Sequence, residues 1–307
     1  MGLTCGIKNL AGFFKGRGIM EKYKKISRIL WLVMFGNIFI ATIKIIIALK
    51  FNSNSLLADG YHALTDSASN IIGIIGIGFA SKPADEKHPY GYQKFETIAS
   101  FFIGILLLFI SFQIVREAVN WFFNPVVPNV DNMSLIFLGI GVIANIIIAK
   151  TEYKKGKQLK SEVLMADSIH TRSDIFISTG VILTLILIKL GLPPIIDPLL
   201  SLVIAFLVFL SCLAIFRETI HILVDKSAVD KNEISKIIYD CGYEIINVHK
   251  IRSRGKNDYV FIDLHLILHP EKTVKEAHDL NHKLENILIT KLNKKVELNA
   301  HIEPNDR

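Results

Sequence analysis

Six long apolar segments dominate the first three quarters of this 307-residue sequence. A helix needs about 20 mostly apolar residues to cross the hydrocarbon core of a bilayer. Segments of about that length predict six transmembrane helices, at residues 29–50, 54–80, 97–120, 133–150, 161–190 and 198–223. With 51% hydrophobic residues overall, the chain is expected to be a membrane all-α protein with a soluble part at its C-terminal end.

Basic residues flank alternate apolar segments. Lysine and arginine precede the first segment and fill the loops after the second and fourth, whereas the other loops hold almost none. Because positive loops stay in the cytoplasm, this asymmetry predicts that both termini are cytoplasmic. Membrane topology therefore explains the net charge of +7, and no nucleic-acid partner is expected.

Beyond about Ser227 the pattern changes to short elements. The segments "KNEISKIIYDCG" and "VKEAHDLNHKLENILITKL" have the apolar spacing of helices. The segments "INVHKIRSR", "DYVFIDLHLIL" and "KVELNAHIE" alternate as strands do. This αββαβ order predicts a small α+β, ferredoxin-like domain with both helices on one face of the sheet. We therefore expect a basic lead (1–28), a transmembrane domain (29–223) and a soluble domain (227–307).

The pattern A-D-x-x-H-x-x-x-D occurs in both the second and the fifth apolar segment. Its polar residues are Asp59, His62 and Asp66 in one copy, and Asp167, His170 and Asp174 in the other. Residues three, four and seven apart share one face of a helix, so each copy directs its polar groups the same way. The histidine and last aspartate of both copies supply two nitrogens and two oxygens. Such a set suits a four-coordinate divalent metal, zinc especially.

Four aspartates in apolar helices are expensive. A charged aspartate at the bilayer centre costs roughly 2.5–3.5 kcal/mol on insertion scales, which favours a functional interpretation. The alternative is a polar network that only holds the helices together, or residues close enough to the interface to be hydrated. Two matched sets of three residues favour the metal site.

The loop after the second segment contains a second candidate. In "ADEKHPYGYQKFE", Asp85 and His88 are three residues apart at a turn shaped by Pro89 and Gly91. A carboxylate and an imidazole at that spacing could hold a weakly bound metal ion, but turn chemistry explains them equally well.

Six of the ten histidines follow residue 248. Strand alternation places apolar residues on the helix-packed face and leaves His249, His265, His301 and Glu303 on the other face. His278, in the second predicted helix, would complete a two-metal cluster if it lies at a sheet edge. The alternative is a solvated face that is rich in histidine.

In the order and spacing of these motifs, the sequence resembles the cation diffusion facilitator family, from about Lys25 to Pro304. The resemblance rests on H-x-x-x-D in two segments, the H-P-Y-G turn followed by Glu96, and "IDP" at the start of the sixth segment. It also rests on the C-terminal succession "VHKIRSR", "DLHLIL", "EAHDL" and "HIEP".

The resemblance implies specific roles for the candidate residues. His62, Asp66, His170 and Asp174 match the transport site, beside which Asp59 and Asp167 would be supporting or proton-handling groups. Asp85 and His88 match two ligands of the loop site, where Tyr92 replaces a third ligand that is often histidine. The cytoplasmic cluster corresponds to His249, His265, His278, His301 and Glu303, with Glu303 where aspartate is common.

We therefore expect a secondary active transporter rather than an enzyme: a divalent metal cation/proton antiporter, homodimeric and embedded in a lipid bilayer. Zinc is the first choice of metal ion, with manganese or iron next, and cobalt and cadmium accept the same ligands. The loop after the fourth segment has no histidine-rich insertion, which favours a prokaryotic cytoplasmic membrane.

Two other classes of function are considered. A membrane-anchored metal sensor would use the soluble cluster alone, but an anchor needs no buried carboxylates. An intramembrane metal-dependent hydrolase would need an open metal position and a base, and the sequence has no H-E-x-x-H pattern.

Overall fold

The computed structural model describes residues 3–51, 54–123, 132–193, 195–256 and 259–305. The elements within these ranges are α1 (Leu3–Phe51), α2 (Asn54–Ala80), α3 (Lys94–Phe123), α4 (Asn132–Leu159), α5 (Glu162–Lys189), α6 (Ile196–Leu223), α7 (Lys231–Tyr239), β1 (Asn247–Gly255), β2 (Tyr259–Leu268), α8 (Val274–Leu292) and β3 (Lys295–Pro304). The chain divides into two compact units, Met1–Thr219 and Ile220–Arg307.

The first unit is helical and suited to a membrane. Five of its segments are long and apolar enough to cross a bilayer: Met20–Ile43, Lys94–Phe123, Leu135–Leu159, Glu162–Lys189 and Ile196–Leu223. In α2, the described side chains include a shorter apolar stretch, Ser67–Ala80. Large apolar side chains on the outside of this unit, such as Phe39, Phe109 and Phe112, are exposed. They suit contact with lipid, and the protein is a multi-pass integral membrane protein.

Helix α1 begins much earlier than the predicted first span. It starts at Leu3 rather than near residue 29, so the expected basic lead is continuous with the helix. Tyr23, Ile26 and Leu30 are buried in the core of this unit. The apolar face of α1 that packs on other helices therefore begins before residue 29, in agreement with an apolar stretch that starts at Met20.

Small residues allow the helices of the first unit to approach closely. A Cβ added at Gly76 of α2 would lie 2.2 Å from the Cβ of Ala99 in α3. One added at Gly180 of α5 would lie 2.1 Å from Ile204 Cδ1 in α6. Close backbone approach at small residues is a usual way to pack membrane helices, so larger residues are not tolerated here without a shift.

The second unit has the predicted αββαβ order. Its sheet has the strand order β1-β2-β3, with β1 antiparallel and β3 parallel to the central β2. Alternate residues of β2, including Ile262, Leu264 and Leu266, are buried against α7 and α8. The intervening residues, including His265, lie on the opposite face. The fold class inferred from the sequence is thus confirmed for both units.

Local signals explain why α8 has these ends. Thr273 Oγ1 accepts a hydrogen bond from the Glu276 backbone N–H, and the Glu276 carboxylate accepts one from the Thr273 N–H. This reciprocal capping box starts the helix. Asn293, in the left-handed conformation with φ 50°, ends it. The helix is the crossover that a parallel β2–β3 pair requires.

Candidate metal centres

The second copy of the repeated motif lies on one buried face of α5. Asp167, His170 and Asp174 are 1%, 3% and 7% exposed, although this helix is apolar enough to span a membrane. Helix α5 packs against α2, α3 and α4, so these groups point into the protein and away from lipid. The i, i+3, i+7 spacing therefore places the three polar groups as the sequence predicts.

The first copy of the motif lies in α2, which also packs against α5. The side chains of Asp59, His62 and Asp66 lie outside the described part of the structure. One contact across the interface is described nearby: Ser69 Oγ of α2 donates to Asp167 Oδ1 at 2.9 Å. Convergence of the two copies on one metal ion remains a prediction.

A buried acid that the sequence analysis did not select lies beside the motif. Glu152, in α4, is fully buried and accepts a hydrogen bond from Thr171 Oγ1 at 2.9 Å. We expected the fourth segment to end near residue 150 and assigned Glu152 to a loop, whereas α4 continues to Leu159. Helical periodicity carried past Lys150 would have indicated this position.

A second buried acid joins three helices at the start of α5. Glu96 of α3 accepts hydrogen bonds from Ser161 Oγ at 2.7 Å and from the Glu162 backbone N–H at 3.1 Å. Tyr23 Oη of α1 donates to its other oxygen at 3.3 Å. A carboxylate at a helix N-terminus is favoured by the free N–H groups and by the helix dipole. Glu96 thus fixes the start of the helix that carries His170 and Asp174.

The loop after α2 brings its candidate residues together without a second imidazole. Asp85 Oδ1 accepts from the His88 backbone N–H at 2.7 Å, and His88 Nδ1 lies 3.4 Å from the same oxygen. Tyr92 Oη donates to Asp85 Oδ2 at 2.7 Å. The hydrogen bond from Tyr92 is the main cause that lowers the pKa of Asp85, and the same bond raises the pKa of Tyr92. The Tyr92 hydroxyl is thus hydrogen-bonded to a carboxylate oxygen that would otherwise be available to a metal ion.

Three histidines form a row across the open face of the soluble sheet. His249 of β1 pairs in register with His265 of β2, which pairs with His301 of β3. The imidazole centroids are 5.2 Å apart for the first pair and 4.7 Å apart for the second. A β-bulge follows His249, with Lys250 at φ 49°, so the strand bends beside the first imidazole.

Glu303 bridges two of these imidazoles. Its Oε1 lies 2.7 Å from His265 Nδ1, and its Oε2 lies 3.3 Å from His249 Nε2. The hydrogen bond from His265 is the main cause that lowers the pKa of Glu303. One ligand atom from each of the three residues lies within 4.8 Å of the others, so the set fits a single divalent ion. His301 Nε2 lies 3.9 Å from Glu303, at the edge of this set.

His278 lies apart from that set within one chain. On α8 its ring contacts that of His282, four residues later, with centroids 4.5 Å apart. Among the described residues, the group of potential ligands contains His249, His265 and Glu303 and does not include His278. Its assignment to the cytoplasmic cluster stays a prediction.

The helical unit and the αββαβ unit correspond to the two parts of one class of membrane transport protein. Residues 30–224 match the family model of the cation efflux transmembrane domain, and residues 220–305 match that of the cation efflux protein cytoplasmic domain. The chain belongs to the cation diffusion facilitator family.

Characterised and uncharacterised transporters resemble this chain over most of its length. An uncharacterized transporter of Methanocaldococcus jannaschii is 33% identical over 271 residues, which cover 86% of this chain and 94% of the relative. The manganese efflux system protein MneP of Bacillus subtilis is 28% identical over 291 residues, covering 92% and 97%. A cadmium, cobalt and zinc/H(+)-K(+) antiporter of the same bacterium is 30% identical over 266 residues, covering 83% of each chain.

Proposed function

We propose that this protein exports divalent metal ions from the cytoplasm in exchange for protons, with zinc as the first substrate and manganese or iron next. The observation that carries the proposal is the buried face of α5, where His170 and Asp174 lie within a helix long enough to span a membrane. Two relatives are named for manganese efflux and for cadmium, cobalt and zinc antiport. Their names support divalent metal ions as the class of substrate, and they support manganese as an alternative to zinc.

The proposed transport site combines ligands from two helices. His170 and Asp174 of α5 would hold the ion with His62 and Asp66 of α2, and Asp59 and Asp167 would support them. The packing of α2 against α5 supports this arrangement. Two imidazoles and two carboxylates suit zinc, although manganese accepts oxygen-rich sets more readily.

Proton exchange follows from the chemistry of these ligands. An imidazole binds metal only when it is neutral, so metal entry releases protons and protons from the other side displace metal. Because imidazoles titrate near neutral pH, His62 and His170 are the proposed coupling groups. Residues 29–223 would form the transport domain, with both termini in the cytoplasm of a prokaryotic cell.

The soluble domain, residues 227–307, is proposed as a cytoplasmic metal-binding dimerisation domain. His249, His265 and Glu303 would hold one ion, with His301 and His278 as further ligands in the homodimer. Metal bound there would tighten the dimer and signal cytoplasmic metal. Asp85 and His88 are the weakest of the proposed ligands, because Tyr92 already donates to Asp85.

Metal uptake by proteoliposomes under an imposed pH gradient tests the transport proposal. Zn²⁺, Mn²⁺, Fe²⁺ and Cd²⁺ are compared for the wild-type protein and for the Asp66→Ala/Asp174→Ala double variant. Glu117→Ala, which removes an exposed carboxylate of α3, is the control. We expect gradient-driven zinc flux that the double variant loses and the control keeps. Flux of manganese or iron alone would support proton-coupled transport but show that zinc is not the substrate.

A metal sensor is the second candidate, because the geometry of His249, His265 and Glu303 suits metal binding. The same experiment separates the two functions. Protein that binds metal and moves none of the four ions would favour the sensor and leave the repeated motif as a structural network.

A further inference from the structure

Glu152 is a fully buried acid in a helix that is apolar enough to cross a membrane. Acidic residues in such helices are rare because a charge there costs several kcal/mol unless it is compensated, so they commonly mark functional sites. Nothing in the repeated motif requires this glutamate, which lies on a different helix, α4.

Glu152 is hydrogen-bonded to the motif of α5. Thr171, which lies between His170 and Asp174, donates its hydroxyl to Glu152 Oε2 at 2.9 Å and approaches the Asp167 carbonyl oxygen at 3.1 Å. The Asp167 carboxylate accepts from Ser69 of α2 at 2.9 Å. Thr171 therefore links Glu152 to the turn of α5 that runs from Asp167 to Asp174.

We propose that Glu152 is a positioning residue of the transport site. Through the hydrogen bond from Thr171, it holds the turn of α5 from Asp167 to Asp174 in the orientation that presents His170 and Asp174 to the metal ion. This inference rests on the proposed transport function, and it adds α4 to the two helices that the repeated motif identifies.

If Glu152 has this positioning role, Gln and Ala at position 152 should affect zinc transport differently. Gln keeps an oxygen that can accept from Thr171. Ala leaves the buried Thr171 hydroxyl without this partner. Loss of a group that orients a metal ligand typically weakens metal affinity by about 10- to 100-fold.

Zinc uptake by the reconstituted full-length protein, measured over a range of zinc concentrations, tests the proposal. Glu152→Ala is expected to raise the KM for zinc about 10-fold or more, while Glu152→Gln stays close to wild type. Thr171→Val should raise KM in the same direction. Thr219→Val is its matched control, because Thr219 of α6 is also buried and its described hydrogen bonds go to carbonyl groups of its own helix.

The split between KM and maximal rate distinguishes positioning from a structural role. A purely structural residue would lower the amount of active protein, and hence the maximal rate, with KM unchanged. That pattern in Glu152→Ala, or equal KM values for Thr171→Val and Thr219→Val, would overturn the proposal. If Glu152→Ala does not fold, the two threonine variants still decide.

Failure of this inference can be distinguished from failure of the proposed function. Absence of zinc flux from the wild-type protein would contradict the proposed transport function. Normal wild-type flux with an unchanged KM in Glu152→Ala would contradict only the role of Glu152.

Discussion

At the scale of single residues, Glu303 makes the stability of the folded soluble unit depend on pH. Its pKa is lowered chiefly by the hydrogen bond from His265, so the folded state favours the ionised carboxylate more than the unfolded state does. The resulting stability is present above the ordinary carboxyl pKa of about 4.3 and disappears as the pH falls through the lowered pKa. Removal of the carboxylate should therefore matter at neutral pH and not in acid.

The Glu303→Gln variant tests the direction of this pH dependence of stability. We expect the variant to unfold at a lower temperature than the metal-free wild-type protein near neutral pH, with the difference shrinking to zero as the pH falls below about 4. Calorimetry of the full-length protein gives the measurement. Glu297→Gln, also on β3 but hydrogen-bonded to Tyr259, is a control for the loss of a charge on this strand. A difference that grows in acid would contradict the assigned direction.

Tyr92 determines whether the loop after α2 can bind metal. Its ring centroid is 4.1 Å from that of His88, and its hydroxyl occupies Asp85. A histidine at this position would add an imidazole beside the existing carboxylate and imidazole. Tyr92→His should therefore add metal-binding capacity, whereas Tyr92→Phe should only release Asp85 and let its pKa rise toward the ordinary value.

Metal content per chain after equilibrium dialysis with cobalt measures the difference. We expect about one further ion per chain for Tyr92→His and no increase for Tyr92→Phe, since a lone carboxylate–imidazole pair is a poor site. Equal binding by the two variants would show that the phenol's hydrogen bond, and not the missing imidazole, limits the loop.

At the scale of elements, the start of α5 depends on a carboxylate from α3. Ser161, the N-cap of α5, donates its hydroxyl to Glu96 and accepts from the Leu164 N–H. Loss of an N-cap costs about 1 kcal/mol. Loss of the Ser161 hydroxyl also removes a hydrogen-bond donor from the buried Glu96 carboxylate, which adds to that cost. Ser161→Ala should therefore lower the unfolding temperature of the full-length protein.

Ser100→Ala is a matched control for this prediction. Ser100 is equally buried, but its hydroxyl donates only to a carbonyl group of its own helix. Differential scanning fluorimetry in detergent should show a clear decrease for Ser161→Ala and a smaller one for Ser100→Ala. Similar decreases would mean that the contact with Glu96 adds nothing beyond burial of a hydroxyl.

Local sequence patterns were sufficient for the soluble elements but not for the buried acids. The alternation in "DYVFIDLHLIL" predicts that His265 faces away from the helices, and the boundaries of α8 follow from its cap and apolar spacing. Glu152 was missed because five lysines between residues 150 and 160 are typical of a loop. Only the packing of α4 on α5 shows that this glutamate is buried.

At the scale of the whole molecule, two units with separate cores each contain candidate metal ligands. The membrane unit places an imidazole and carboxylates inside a helix bundle, whereas the soluble unit places imidazoles on a solvent-facing sheet. Alternation in the sequence predicts which residues of the three strands share a face. It does not predict which residues of neighbouring strands lie opposite each other. Which residue lies opposite His265 depends on the bulge after His249 and on the crossover through α8.

The parallel pairing of β2 and β3 sets an order of assembly for the soluble cluster. His249 and His265 meet as soon as the β1–β2 hairpin closes, which is a local event. Glu303 joins them only after α8 has crossed over and β3 has docked, a slower step because it closes a longer stretch of chain. All three residues of the proposed soluble metal site would therefore come together only after this unit is complete.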